Sequence, residues 1–143
     1  MSTHLKFAIE TARLRLRAWR ADDFPAFAQL NANAQVMRYF PSSLTQTESD
    51  ALAQTFQQFI NQNGWGFWAV ELKHSQEFIG FTGLHAQPER FDFSPCVEIG
   101  WRLDSKFWHQ GYATEAARAC LYFAFSVLDL DEVVAFPAVQ QYP

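Results

Sequence analysis

Residues 96–116 constrain the fold of this chain more than any other stretch. Val97-Glu98-Ile99-Gly100-Trp101-Arg102-Leu103 alternates apolar side chains with polar or small ones, the period of a strand. Trp108-His109-Gln110-Gly111-Tyr112-Ala113-Thr114-Glu115-Ala116 follows and reads as a glycine turn that opens a helix. A helix start leaves backbone N–H groups without intrahelical partners and carries the positive end of the dipole. It therefore suits an anion such as a pyrophosphate. A strand feeding such a turn predicts a cofactor that carries phosphate.

At 143 residues the chain is expected to form one domain, residues 1–143, with a sizeable core. Aromatics make up 17%, with 15 Phe and 5 Trp, so large rings must fill that core or line a groove. No apolar run approaches the length of a membrane span, and Met1-Ser2-Thr3-His4-Leu5-Lys6 lacks the apolar stretch of a signal peptide. Two cysteines, Cys96 and Cys120, make no disulfide framework, so the expected setting is cytoplasmic. No Cys/His spacing suggests a metal.

The net charge of −4 argues against a polyanion binder. Positive charge is concentrated early, where Arg13, Arg15 and Arg17 alternate with Leu14, Leu16 and Ala18. That period places the arginines on one strand face, read as solvated. A nucleic-acid stripe would need further cations, and none follows Arg118.

Along the chain, residues 12–19 read as a strand, and Asp22 and Asp23 open a short helix to Leu30. Thr45 or Thr47 caps a second helix over 47–62, with capping-box spacing from Thr47 to Asp50. Ala51, Leu52, Thr55, Phe56 and Phe59 are expected on its apolar side, and Gly64 stops it. Residues 67–73 and 77–85 read as an antiparallel hairpin, with a bulge or close backbone approach at Gly80 and Gly83. Residues 87–95 read as a loop, 96–103 as a strand, 114–128 as a helix and 132–139 as a last strand, with Pro137 awkwardly inside it. The class is α+β, a mainly antiparallel mixed sheet flanked by helices.

This order resembles the GNAT acetyltransferase superfamily, and most of all its ribosomal-protein N-terminal acetyltransferases (RimJ/RimL-like). The resemblance rests on Thr11-Ala12-Arg13-Leu14-Arg15-Leu16-Arg17, on Glu98 through Leu103 and on Trp108 through Ala116. In the family's acetyl-CoA signature, Gly111 and Ala113 match, and Trp108 stands where Gln or Arg is usual. The resemblance implies the GNAT-like acyl-CoA N-acyltransferase fold. It also implies acetyl-CoA as co-substrate, with pyrophosphate held by the turn of His109, Gln110, Gly111, Tyr112, Ala113 and Thr114. Pantetheine would lie against the main chain of Trp101, Arg102 and Leu103. Family members continue past the strand near Val134 with a helix and two strands, so the chain is expected to be C-terminally shortened. Tyr142 does not carry over as an acid, because nothing around it matches. An uncovered edge there would favour a homodimer.

The implied activity is direct transfer of acetyl to a primary amine, on a protein N-terminus or a small molecule. No nucleic acid or membrane partner is expected. The alternative is a non-catalytic or partner-dependent module that only binds CoA. Glu98 is the candidate base, on the polar face of the strand bordering the cofactor. The competing reading pairs it with Arg102 on the same face. His85 either faces the acceptor groove or is structural. His109 either helps hold anion or is solvated. Cys120, among Ala117, Ala119 and Phe123, reads as a core thiol rather than a nucleophile. Phe56, Phe59, Trp65, Phe67 and Trp68 read as core, part of which lines the acceptor groove.

Overall fold

A computed structural model describes residues 9–87 and 96–135. Its elements are β1 (Ile9–Glu10), β2 (Leu14–Arg17), α1 (Asp23–Ala32), α2 (Gln46–Asn63), β3 (Phe67–Leu72), β4 (Phe78–Gln87), β5 (Cys96–Leu103), α3 (Tyr112–Tyr122) and β6 (Val134–Ala135). The six strands form one sheet in sequence order. All neighbours are antiparallel except β5 and β6, which are parallel.

Consecutive strand residues point to opposite faces, and two contacts identify what covers each. Phe67 packs on Phe56 of α2, and Trp68 packs on Phe123 beyond α3. So α1 and α2 cover the face of Phe67, Phe81, His85, Glu98 and Arg102. α3 covers the face of Leu14, Leu16, Trp68, Val70, Thr82 and Leu84. Trp19, Phe27, Phe56, Phe67, Phe78 and Phe81 make a connected aromatic cluster, with centroids 4.9–6.5 Å apart. Tilted and edge-on rings at such spacings gain attraction beyond their area burial.

The expected glycine positions are both close approaches. A Cβ on Gly80 would lie 2.1 Å from the Arg102 carbonyl oxygen, and one on Gly83 would lie 2.0 Å from that of Gly66. The register also shifts between Val70 and Glu71. β5 matches its expected span, and the 67–85 hairpin forms. Gly64 ends α2 with φ 82°.

Several expectations are corrected. The strand read over 12–19 is only four residues, Leu14–Arg17, and β1 pairs with it. The capping box is Thr45 with Glu48, because the helix begins at Gln46. The buried stripe of α2 is Ser49, Ala53, Phe56 and Ile60, while Ala51 and Thr55 are exposed. The helix read from Thr114 starts at Tyr112, because Gly111 sets its entry, and it loosens to a π-helical stretch over Phe123–Val127. Gln87 belongs to β4. The rest of the 87–95 loop, and the last strand beyond Ala135 with Pro137, lie outside the described residues.

The arginines do not share a solvated face. Arg17 is 7% exposed. Its Nε donates to Glu71 Oε1 at 2.6 Å, and its Nη1 and Nη2 donate to both Asp23 oxygens at 2.8 and 2.9 Å. Burying a cation is tolerable only with partners of this kind. Arg15 donates to Glu10 and Glu71. Arg13 precedes the strand and reaches α3 instead.

Candidate active site

The chain leaves β5 through a 3-10 turn, Ser105–Phe107, and enters α3 at Gly111. Trp108 fixes this connection, since its Nε1 donates to the Leu103 carbonyl at 2.9 Å. His109 and Gly111 both take left-handed backbone angles, φ 64° and 83°. Glycine accepts such a conformation without steric penalty, and alternation of this kind turns successive N–H groups into one concavity. Gly111 offers no side chain to cap α3, so the amides of the first turn are open to a ligand. A cleft of about 290 Å³ lies in front of them, lined by Leu103, Trp108, His109, Tyr112, Ala113 and Thr114 among others. Dipole, open amides and a bare glycine suit a phosphate group.

The strand end and the turn are therefore brought together, as the sequence suggests. Leu103 is buried and lines the cleft. Trp101 is 45% exposed, opposite Thr82 in the ladder with β4. The Arg102 side chain points to the other face, where Nη1 donates to Asn31 Oδ1 at 2.7 Å and the guanidinium lies 4.6 Å from the Phe40 ring centre. The described ladder from β5 to β6 covers only Glu98 with Val134 and Ile99 with Ala135. His109, Gln110 and Thr114 are exposed and Tyr112 is buried.

Glu98 is 6% exposed and sits opposite His85 of β4. Its strand position is five residues before Leu103, about 16 Å along the chain. One ligand that meets both the turn and Glu98 must be long and extended. The His85 ring packs on Phe59 at 4.6 Å and Phe67 at 5.4 Å, so part of the aromatic cluster borders Glu98. Cys120 is fully buried, and burial pushes its thiol up to about 12, against a smaller opposing effect of the Thr82 hydroxyl. A thiol so rarely ionised is a packing residue. Among the described residues, no group of His, Cys, Asp and Glu could hold a metal ion, and no helix is long and apolar enough to cross a membrane.

Sequence reasoning missed one feature of the turn. Glu115 accepts bonds from the Thr11 hydroxyl, from the Arg13 backbone N–H at 2.8 Å and from Arg13 Nε at 2.7 Å. Burial alone would raise this carboxyl, but those three bonds outweigh it and hold Glu115 below its ordinary range. The available signals were the Thr11–Arg13 motif and an acid in the first turn of a helix.

Comparison with known proteins identifies the family and the fold. The sequence profile of the acetyltransferase (GNAT) domain matches residues 13–141. The uncharacterized N-acetyltransferase YnaD of Bacillus subtilis is 30% identical over 130 residues, 89% of this chain and 71% of its own length. The crystal structure of an acetyltransferase from Agrobacterium tumefaciens superposes with a TM-score of 0.77 at 28% identity, covering 94% of this chain and 77% of that one. RimL, a ribosomal L7/L12 alpha-N-protein acetyltransferase solved with coenzyme A, shares the fold at a TM-score of 0.68 and 20% identity, over 90% of this chain and 73% of that one. The chain belongs to the GNAT acetyltransferase family and is an acetyl-CoA-dependent acyltransferase.

Proposed function

We propose that this GNAT-family enzyme moves acetyl from acetyl-CoA directly to a primary amine, either a peptide N-terminus or a small-molecule amine. The observation that carries the reading is the uncapped, glycine-entered start of α3 beside the end of β5, with buried Glu98 further along the same strand. The residues fit the cofactor, because Gly111 takes a φ of 83° that a side chain would strain and the first-turn amides have no side-chain cap. His109 to Thr114 hold the phosphates through backbone N–H groups. The main chain of Trp101, Arg102 and Leu103 lines the path of the pantetheine arm. One lone pair of the Leu103 carbonyl is taken by Trp108, so the other remains for the arm. When bound, acetyl-CoA supplies a thioester carbonyl open to attack.

Glu98 then acts on the acceptor. An amine attacks only when neutral, and a free α-amine, with a pKa near ~7.7–8, is partly neutral at pH 7. A weak base suffices, and the Glu98 carboxylate takes the proton directly or through one water. The C–N bond would form as the C–S bond breaks, and the proton given up by the amine would pass from Glu98 or the intervening water to the leaving sulfur. Glu98 is only 6% exposed, which keeps bulk water from it. This favours an α-amine over a lysine side chain, whose pKa near ~10.4 demands a stronger base. Resemblance to the ribosomal-protein group supports a peptide N-terminus as one acceptor.

Calorimetry with CoA, followed by an acetyl-transfer assay against a peptide α-amine and a small amine, tests the reading. Saturable heat and thiol release that needs the amine are expected. No heat with millimolar CoA overturns it. CoA binding without transfer to either amine would leave a binding module.

A further inference from the structure

The N-terminal Thr11–Arg17 motif takes no part in the chemistry above, yet its first residues lie against the cofactor turn. Arg13 touches three successive residues of that turn. Its Nη1 donates to the Gln110 carbonyl at 3.0 Å, its guanidinium lies 4.3 Å from the Tyr112 ring centre, and its Nη2 is 3.2 Å from where a Cβ on Gly111 would stand. Glu115 locks the other edge of the guanidinium at 2.7 Å, and the Thr11 hydroxyl shares that carboxylate. A second cleft, lined by Arg13, Gly111, Thr114, Glu115 and Arg118 among others, adjoins the first through Gly111 and Thr114.

Two physical requirements of an anion turn are met by this one side chain. A turn aims its N–H groups at an anion only if its carbonyls point elsewhere, and Arg13 holds the Gln110 carbonyl. A carboxylate in the first turn of α3 would repel phosphate, and Arg13 offsets the charge of Glu115. The pair is partly solvated, with 44% and 19% of the side chains exposed. Its yield in bare stability is therefore small. Its consequence falls on the turn.

We propose that Arg13 is a positioning residue for the phosphates of acetyl-CoA, holding the turn of Gln110 to Tyr112 from the N-terminal strand through its clasp on Glu115. The proposal rests on the pyrophosphate reading above.

The experiment compares two acetyl donors, acetyl-CoA and S-acetylpantetheine, which keeps the thioester and arm but has no phosphate. Arg13→Gln should raise KM for acetyl-CoA about tenfold, the worth of a charged hydrogen bond. It should leave kcat and S-acetylpantetheine turnover unchanged and lower the melting temperature only slightly, since the pair is partly solvated. Glu115→Gln, which releases the guanidinium, should shift KM in the same direction. The double variant should be no worse than Arg13→Gln alone. Equal losses with both donors would overturn the proposal in favour of general structural damage. An unaltered KM for acetyl-CoA would also overturn it, while leaving the cofactor reading intact. No CoA binding by the unaltered chain would instead remove the cofactor reading, and the clasp's role with it.

Discussion

His85 and Glu98 stand directly opposite each other on β4 and β5, on the sheet face covered by α1 and α2. Directly opposed residues have Cβ atoms about 4.5–5.5 Å apart. The imidazole is held by the rings of Phe59 and Phe67, so its position beside the carboxylate is set by packing. Glu98 thus lies beside an ordered ring, on the strand whose far end, Leu103, reaches the glycine turn.

That placement gives Glu98→Gln a defined effect. The amide keeps the shape and loses the base, so kcat should fall on the order of 10²-fold. The loss should be largest at low pH, where the amine is protonated. A pH–rate profile unchanged from the parent enzyme would return Glu98 to a packing role.

Gly111 is constrained from two sides. Its φ of 83° is costly for any residue with a Cβ, by roughly 1–2 kcal/mol. Gly111→Ala should therefore lower stability by about that amount in urea unfolding and weaken CoA binding. Gly111→Glu should abolish the heat of CoA binding, because it places a carboxylate in the proposed phosphate turn. Retained binding by the Glu variant would move the phosphate site away from the turn.

Local features of this fold were legible in the sequence and distant pairings were not. The span of β5, the 67–85 hairpin and the stop at Gly64 follow from short-range pattern and glycine chemistry. The glycine-entered start of α3 was legible for the same reason. Thr11 and Arg13 meet Glu115 across more than a hundred residues, and nothing local marks that pairing. Alternation correctly placed Arg15 and Arg17 together on β2, but it could not show that Glu71 and Asp23 would bury Arg17. On α2, Phe59 drew the expected stripe to one side, whereas the core takes Ser49, Ala53, Phe56 and Ile60. Ser49 accepts there from the Asn31 amide, a polar contact that an apolar pattern omits.

The Arg17 network should behave as a buried ionic cluster. Arg17→Met removes the cation and leaves Asp23 and Glu71, 2% and 1% exposed, without it. A loss of about 3–5 kcal/mol in urea unfolding is expected. The triple variant Arg17→Met, Asp23→Leu, Glu71→Met should recover much of that loss, since no buried charge of the cluster then remains. A triple variant less stable than Arg17→Met would mean that the network's geometry, rather than its charge balance, supports the sheet.

Acid should dissolve the Glu115 clasp, with a sign fixed by its shifted carboxyl. The folded-state pKa lies below the ordinary value because the bonds from Thr11 and Arg13 outweigh burial. A depressed carboxyl contributes stability that is fully present above the unfolded pKa, near ~4.3. That contribution is lost as pH falls through the lower folded value. The stability gap between the parent chain and Glu115→Gln should therefore be constant from neutral pH down to the ordinary carboxylate range and close below it. Comparing the two proteins removes the other carboxylates that titrate in the same window, Glu10 included, since both carry them. Urea unfolding of the pair at neutral pH and at about pH 3 reads the difference, below the ordinary value of the carboxyl. A gap that persists undiminished at the acid end would mean that the Glu115 bonds to Thr11 and Arg13 do not depend on its charge.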